Sequence, residues 1–153
     1  MSKILKIYDY KDPILRTKCR DVLRMEPWVL GLADDMWMTM LISKALGLAA
    51  NQVGFDYNMI TINGPEFKGP MINPVIEEKS EEVFHHIEGC LSLPGYELDT
   101  GKRSKSIKVR YHDLESIEKT IWLKDVTSVI VQHEIDHLRG IIFLDHLHKD
   151  MIK

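Results

Sequence analysis

What the 153-residue chain has little of already narrows its function. It has two cysteines, Cys19 and Cys90, too few for the disulfide framework that holds small secreted domains together. It lacks a basic excess: 20 Lys and Arg against 23 Asp and Glu leave a net charge of −3, so nothing in the charge favours nucleic acid or a membrane surface. No apolar run approaches the roughly 18 residues that a membrane span requires. The chain begins Met1-Ser2-Lys3 and goes straight into charged sequence, without the apolar core of a signal peptide or an arginine-rich transit segment. The expected location is therefore the cytoplasm, bacterial or, for a viral chain, the host's. Repeats, low-complexity stretches and long linkers are also missing, so a single domain over 1–153 is expected. At 44% hydrophobic and 28% charged residues it has the balance of an ordinary globule with a sizeable core.

The elements can be read from periodicity. Asp12-Pro13 to Val22 predicts an irregular segment with a short turn. Pro27 suits the first turn of a helix, where its missing N–H costs little. Val29, Leu32, Ala33, Met36, Trp37, Met40 and Leu41 then recur at three-to-four-residue spacing, which predicts an amphipathic core-facing helix to about Lys44. Beyond Ala45 the chain turns to short extended runs: Tyr57 to Ile62, Met71 to Ile76, Glu82 to Ile87, Ser106 to Tyr111 and Thr120 to Leu123. Pro74 in the second run argues for an edge strand or a strand end. Asn63-Gly64-Pro65 and Gly69-Pro70 read as turns. A last helix is predicted over Asp125 to Leu138, capped by Asp125 and ended by Gly140. Helix, many strands, helix is an α+β order: short antiparallel or mixed β-sheets packed around a C-terminal helix, with an N-terminal amphipathic helix.

That last helix carries His133-Glu134-Ile135-Asp136-His137. Two histidines four apart share one helical face, so both imidazoles can reach one ion, and Glu134 can touch water at that ion without ligating it. A third ligand is needed. Zincin peptidases place a His or Glu downstream, but this chain has Phe143 where the metzincin His would stand, and no Glu among the 13 residues after Gly140. Asp145, His146 and His148 are tail candidates. Cys90, in Glu88-Gly89-Cys90-Leu91-Ser92, is the better one, because thiolate is a strong ligand for divalent transition metals.

Three separated motifs now stand in order: Gly47-Leu48-Ala49-Ala50-Asn51-Gln52, then Glu88-Gly89-Cys90-Leu91-Ser92, then Gln132-His133-Glu134-Ile135-Asp136-His137. In this order and with these gaps the chain resembles peptide deformylase over nearly its whole length, from Asp12-Pro13-Ile14-Leu15-Arg16 to Gly140. The resemblance implies a hydrolase that removes the N-formyl group from N-formylmethionyl peptides, the N-termini of nascent chains, and releases formate. It implies Cys90, His133 and His137 as metal ligands and Glu134 as general base and acid. The Gln52 side chain and the Leu91 backbone N–H would form the oxyanion site. The family's ion is typically iron(II), with zinc, nickel or cobalt able to replace it; one sulfur and two nitrogens select none of these by themselves. The expected reaction is attack of metal-bound hydroxide on the formyl carbon, with Glu134 taking the water's proton and handing it to the leaving amine.

For substrate, the resemblance implies strand addition along Leu46, Gly47 and Gly89. Val126, Val129 and Ile130 lie seven, four and three residues before His133, on its helical face, and are expected to line a methionine pocket, with His86 and Ile87 as further candidates. The chain departs from the family at Ala45, where glycine is usual, and at Gly101-Lys102, where a Val-Pro pair is common. Arg103 is expected to pair with Glu88 and orient the Cys90 loop. The short tail leaves little room for the helix that bacterial members use at the ribosome, which counts against ribosome docking. Two rivals are set against this reading: a zincin peptidase, and a binding module that keeps the fold without turnover.

Overall fold

The computed structural model describes residues 2–147; His148 and the rest of the tail, on which ribosome docking turns, lie outside them. Helix α1 spans Pro27–Ile42. Seven strands follow, β1 Gly47–Ala49, β2 Met59–Asn63, β3 Lys68–Lys79, β4 Glu88–Gly89, β5 Glu97–Leu98, β6 Ser106–His112 and β7 Glu118–Lys124, and then helix α2 Asp125–Leu138. The architecture is α+β, as expected. β1-β2-β3-β6-β7 form a five-stranded sheet and β4-β5 a two-stranded ribbon, and every pairing between these strands is antiparallel.

The sheet is a layer between the two helices because its strands alternate apolar residues to both faces. Ile60, Ile62, Met71 and Ala49 point to one face, where Ile130, Val131, Ile135 and Leu138 of α2 meet them. Met59, Ile72 and Leu48 point to the other, where Val29, Leu32, Ala33, Met36 and Met40 of α1 close the second core. The apolar stripe of α1 is thus core, though Leu41 stays 39% exposed. Both cores end at β1, which lies at one edge of the large sheet and packs against both helices.

Several local expectations are overturned by long-range pairing. Pro74 belongs to β3, the central strand rather than an edge. It is tolerated because the β3–β6 register shifts between Ile72 and Val75, with Asn73 left-handed at φ 52°. The Asn73 side chain bonds the Val22 N–H and carbonyl, each at 2.8 Å, which pins the N-terminal segment across the bulge. Gly69-Pro70 is no turn; it starts β3, paired with Ile62 and Thr61. Glu82 to Ile87 makes only a single bridge, Val83 to Ser104, before β4. Asp125 does not cap α2. It is the first helical residue, left-handed at φ 55°, and lets the chain pass from β7 into the helix without a loop. Gly140 does end α2. At φ 77° its N–H bonds the His137 carbonyl at 3.0 Å, and a Cβ there would lie 2.8 Å from the Arg16 carbonyl.

Candidate metal centre

The last two turns of α2 direct His133 and His137 at the β4 side of the molecule. Cys90, directly after β4, comes to meet them. His137 Nε2 lies 3.2 Å from His133 Nε2 and 3.3 Å from Cys90 Sγ, and the three ligand atoms all fall within 4.8 Å of one another. Metal–nitrogen bonds of about 2.0–2.1 Å and a metal–sulfur bond of about 2.3 Å, at tetrahedral angles, space such atoms about 3.4 to 3.6 Å apart. The donor set therefore fits a single transition-metal ion.

The surroundings fix the rings for that task. Glu88 Oε1 accepts from His133 Nδ1 at 2.9 Å, which leaves the Nε2 lone pair facing Cys90 and His137. Arg103 holds the same carboxylate with two bonds, Nε at 2.9 Å and Nη2 at 2.8 Å, with both side chains at least 95% buried. The expected Arg103–Glu88 pair is present, and it extends further. Arg103 Nη1 bonds Asp136 at 2.6 Å, and Asp136 in turn takes His146 Nε2 at 2.7 Å. His146 and Asp145 are thereby removed as ligands, since Asp145 pairs with Arg16 at 2.6 Å.

The two histidines are shifted in opposite directions. Burial alone would lower His133, but Glu134, Cys90 and Glu88 outweigh it and push the ring up to about 10. His137 is held well below the ordinary range, first by burial and then by the charge on its neighbour. Burial raises Glu134 to about 7, offset in part by His133 and Arg103, and its Oε1 is buried without a hydrogen-bond partner.

Cys90 and His133 open onto a cleft of about 360 Å³ lined also by Gln52, Glu88, Gly89, Leu91 and Glu134, while His137 is fully buried behind them. Leu46 and Gly47 of the β1 side form one wall, His86 and Ile87 with the β4–β5 ribbon the other, and Val129 and Ile130 the floor. Gly47 presses on Glu134: a Cβ there would stand 2.6 Å from Oε2 and 2.9 Å from Ile130, so only glycine allows that approach. Gln52 Oε1 accepts the Ala49 N–H at 2.9 Å, which turns the amide NH₂ toward Cys90 Sγ, 3.5 Å away, and Ser92 Oγ, 3.2 Å away.

Val126 is a correction. It is absent from the cleft and packs half-buried against the core under the sheet, because it lies about two turns before His133 while the cleft reaches only Val129 and Ile130, about one turn before it. Ala45 both packs against the α1 core and lines the cleft. Sequence reasoning assigned no role to Ser92 and Asp136, although both stand inside quoted motifs. It also missed Asn51, whose side-chain amide donates to the His137 carbonyl and steadies α2. Lys44, Tyr96 and Glu97 on the cleft rim carry no motif signal.

Comparison with known proteins agrees with this geometry. The family model described as polypeptide deformylase matches residues 4–151. The peptide deformylase of Saccharophagus degradans is 39% identical over 147 residues, covering 94% of this chain and 85% of its own. Among solved structures, a peptide deformylase from Synechococcus elongatus in complex with actinonin superposes with a TM-score of 0.91 at 30% identity, over 99% of this chain and 83% of that one. A Met-Ala-Ser-bound class I type b peptide deformylase from Acinetobacter baumannii gives 0.89 at 31% identity, over 96% and 100%. The chain belongs to the polypeptide deformylase family of hydrolases.

Proposed function

We propose that the chain, acting as one catalytic domain, hydrolyses the formamide bond of N-formylmethionyl peptides and releases formate. The observation that carries this reading is the position of Glu134. Its unpartnered Oε1 stands beside the Cys90–His133–His137 triad, in a cleft bordered by the β1 edge of the sheet. Cys90, His133 and His137 would hold one divalent cation, iron(II) first, with zinc, nickel or cobalt as substitutes suited to the same donors. Such a cation supplies Lewis acidity, polarising a carbonyl and bringing the pKa of water at the site down to about 7.

The chain's own groups do the rest. Glu134, raised to about 7 by burial, can accept a proton from attacking water and return it to the leaving amine near neutral pH. The Gln52 NH₂, which faces Cys90, and the N–H of Leu91, which lines the cleft, would donate to the charge that develops on the formyl oxygen. Leu46, Gly47 and Gly89 offer backbone to an extended peptide, and Val129 and Ile130 an apolar floor for the methionine side chain. The Met-Ala-Ser seen in the Acinetobacter baumannii relative is a peptide of the kind this reaction leaves behind.

Formate release from formyl-Met-Ala-Ser, measured with metal content on the same sample, tests the reading. Turnover without cleavage of internal peptide bonds is expected; internal cleavage without formate would overturn it. Glu134→Ala should keep its metal and lose about 10²–10⁴-fold in kcat. An unchanged kcat would remove Glu134 from the reaction and favour another base.

A further inference from the structure

The outer end of the cleft carries a residue that the reaction described above does not use. Lys44 follows the last turn of α1, its N–H bonded to the Leu41 carbonyl at 3.1 Å, and adopts the left-handed conformation at φ 57°. That position after a helix belongs by preference to glycine, since a side chain there is strained. Here a lysine occupies it, exposed and among the residues that line the cleft. The lysines that form ion pairs among the described residues are Lys105, Lys108 and Lys119; Lys44 is not one of them. A strained backbone that delivers an uncompensated cation to a binding cleft points to a ligand for that cation.

We infer that Lys44 is a specificity-determining residue that favours formyl peptides with acidic side chains at their third and fourth positions. The inference rests on the deformylation reading and deepens it. Gly47, against Glu134, marks the inner end of the β1 edge, and Lys44 precedes it by three residues. An extended peptide leaving the site along that edge advances about 3.3 Å per residue, so its third and fourth residues come abreast of Lys44. The other charged groups on the cleft are spoken for or stand elsewhere. Glu88 is held by Arg103 and His133, and Glu134 lies against Gly47. Glu97, the exposed carboxylate of the opposite wall, belongs to β5, whose backbone pairs in register with Gly89 of β4 and not with the β1 side. Among the residues that line the cleft, Lys44 is the one Lys or Arg, and it belongs to the β1 side.

The metal-loaded enzyme tests this with formyl-Met-Ala-Ser-Ser, formyl-Met-Ala-Glu-Glu and formyl-Met-Ala-Lys-Lys at low ionic strength. The Glu-Glu peptide should exceed the Lys-Lys peptide by about 3- to 10-fold in kcat/KM, carried by KM, as two exposed charge contacts of ordinary size supply. The difference should shrink in high salt. Lys44→Glu should reverse the order. Lys44→Gly should abolish it while raising the Tm, because glycine accepts the left-handed backbone without strain. Equal kcat/KM for the two charged peptides, or a Lys44→Glu protein that keeps the original order, would overturn the inference while leaving deformylation intact. Failure on the Ser-Ser peptide would instead overturn the deformylation reading, and this inference with it.

Discussion

At the scale of single residues, the site depends on one missing methyl group, and the chain's two thiols stand in different surroundings. Gly47→Ala would place a Cβ 2.6 Å from Glu134 and 2.9 Å from Ile130, neither of which can retreat from a packed floor. Overpacking of this kind costs about 1–3 kcal/mol. The variant should melt lower and lose kcat while binding metal as tightly as the parent, which calorimetry, kinetics and chelator competition would separate. Wild-type kinetics in Gly47→Ala would mean that the wall moves freely. The thiols should differ as sharply. Burial, helped by the Asp56 carboxylate, pushes Cys19 up to about 12, so it has almost no thiolate at neutral pH. Iodoacetamide should therefore leave Cys19 unmodified, and should modify Cys90 in chelator-treated protein but not in metal-loaded protein. Mass spectrometry of the two samples decides it; labelling of Cys19 in folded protein would show that its burial is transient.

At the scale of elements, the candidate ligands Cys90, His133 and His137 come from two pieces of structure distant in sequence, α2 and the loop after β4. What joins them is the buried line His133–Glu88–Arg103–Asp136, continued to His146. Replacing Arg103 by Ala would leave Glu88 buried and facing His133 without its cation. Breaking a buried pair from one side costs about 3–5 kcal/mol. Arg103→Lys should recover only part of this, because a single ammonium cannot reproduce the two-bond grip on Glu88. Chemical denaturation of the two variants, with metal affinity measured by competition, checks the order wild type, Lys, Ala; equal stability of all three would show that the line is ornamental. The expected Arg103–Glu88 contact could be suggested from the motif, but Asp136 could not. On a helix it reads as one more polar residue, and only the approach of the chain after β5 gives it a partner.

At the scale of the whole molecule, the segment before α1 meets the segment after α2. Arg16, in the turn Pro13–Arg16, bonds the Gly140 carbonyl at 3.0 Å and Asp145 at 2.6 Å, and so ties the start of the chain to the segment after α2. Burial would raise Asp145, but the bond and charge of Arg16, the Ile142 N–H and His146 together outweigh it and hold the carboxyl below its ordinary 3.8. A carboxylate whose folded pKa is depressed binds fewer protons in the folded state. Its contribution is complete above the unfolded value and fades as pH falls through the folded one. Arg16→Ala should therefore lower the Tm at pH 6 to 7, and the gap from wild type should close toward pH 3 and below. A gap that is constant across that range would assign the loss to packing of the Arg16 stem. No helix among the described residues is long and apolar enough to cross a membrane.

Composition, periodicity and spacing were enough for α1, for α2 over Asp125–Leu138 and for the approach of His133 to His137. These are properties of contiguous residues, and a helix converts a four-residue interval into a shared face without help from the rest of the chain. The order of the three motifs was likewise enough to single out Cys90. Tertiary structure alone decided the rest. It put Pro74 in the central strand, since a bulge forms only against a partner strand. It took Val126 out of the cleft, since the depth of a pocket is set by the opposite wall. It brought Lys44 to the rim, because the end of α1 is aimed there by the packing of α1 on the sheet and by nothing in the residues around Lys44 itself.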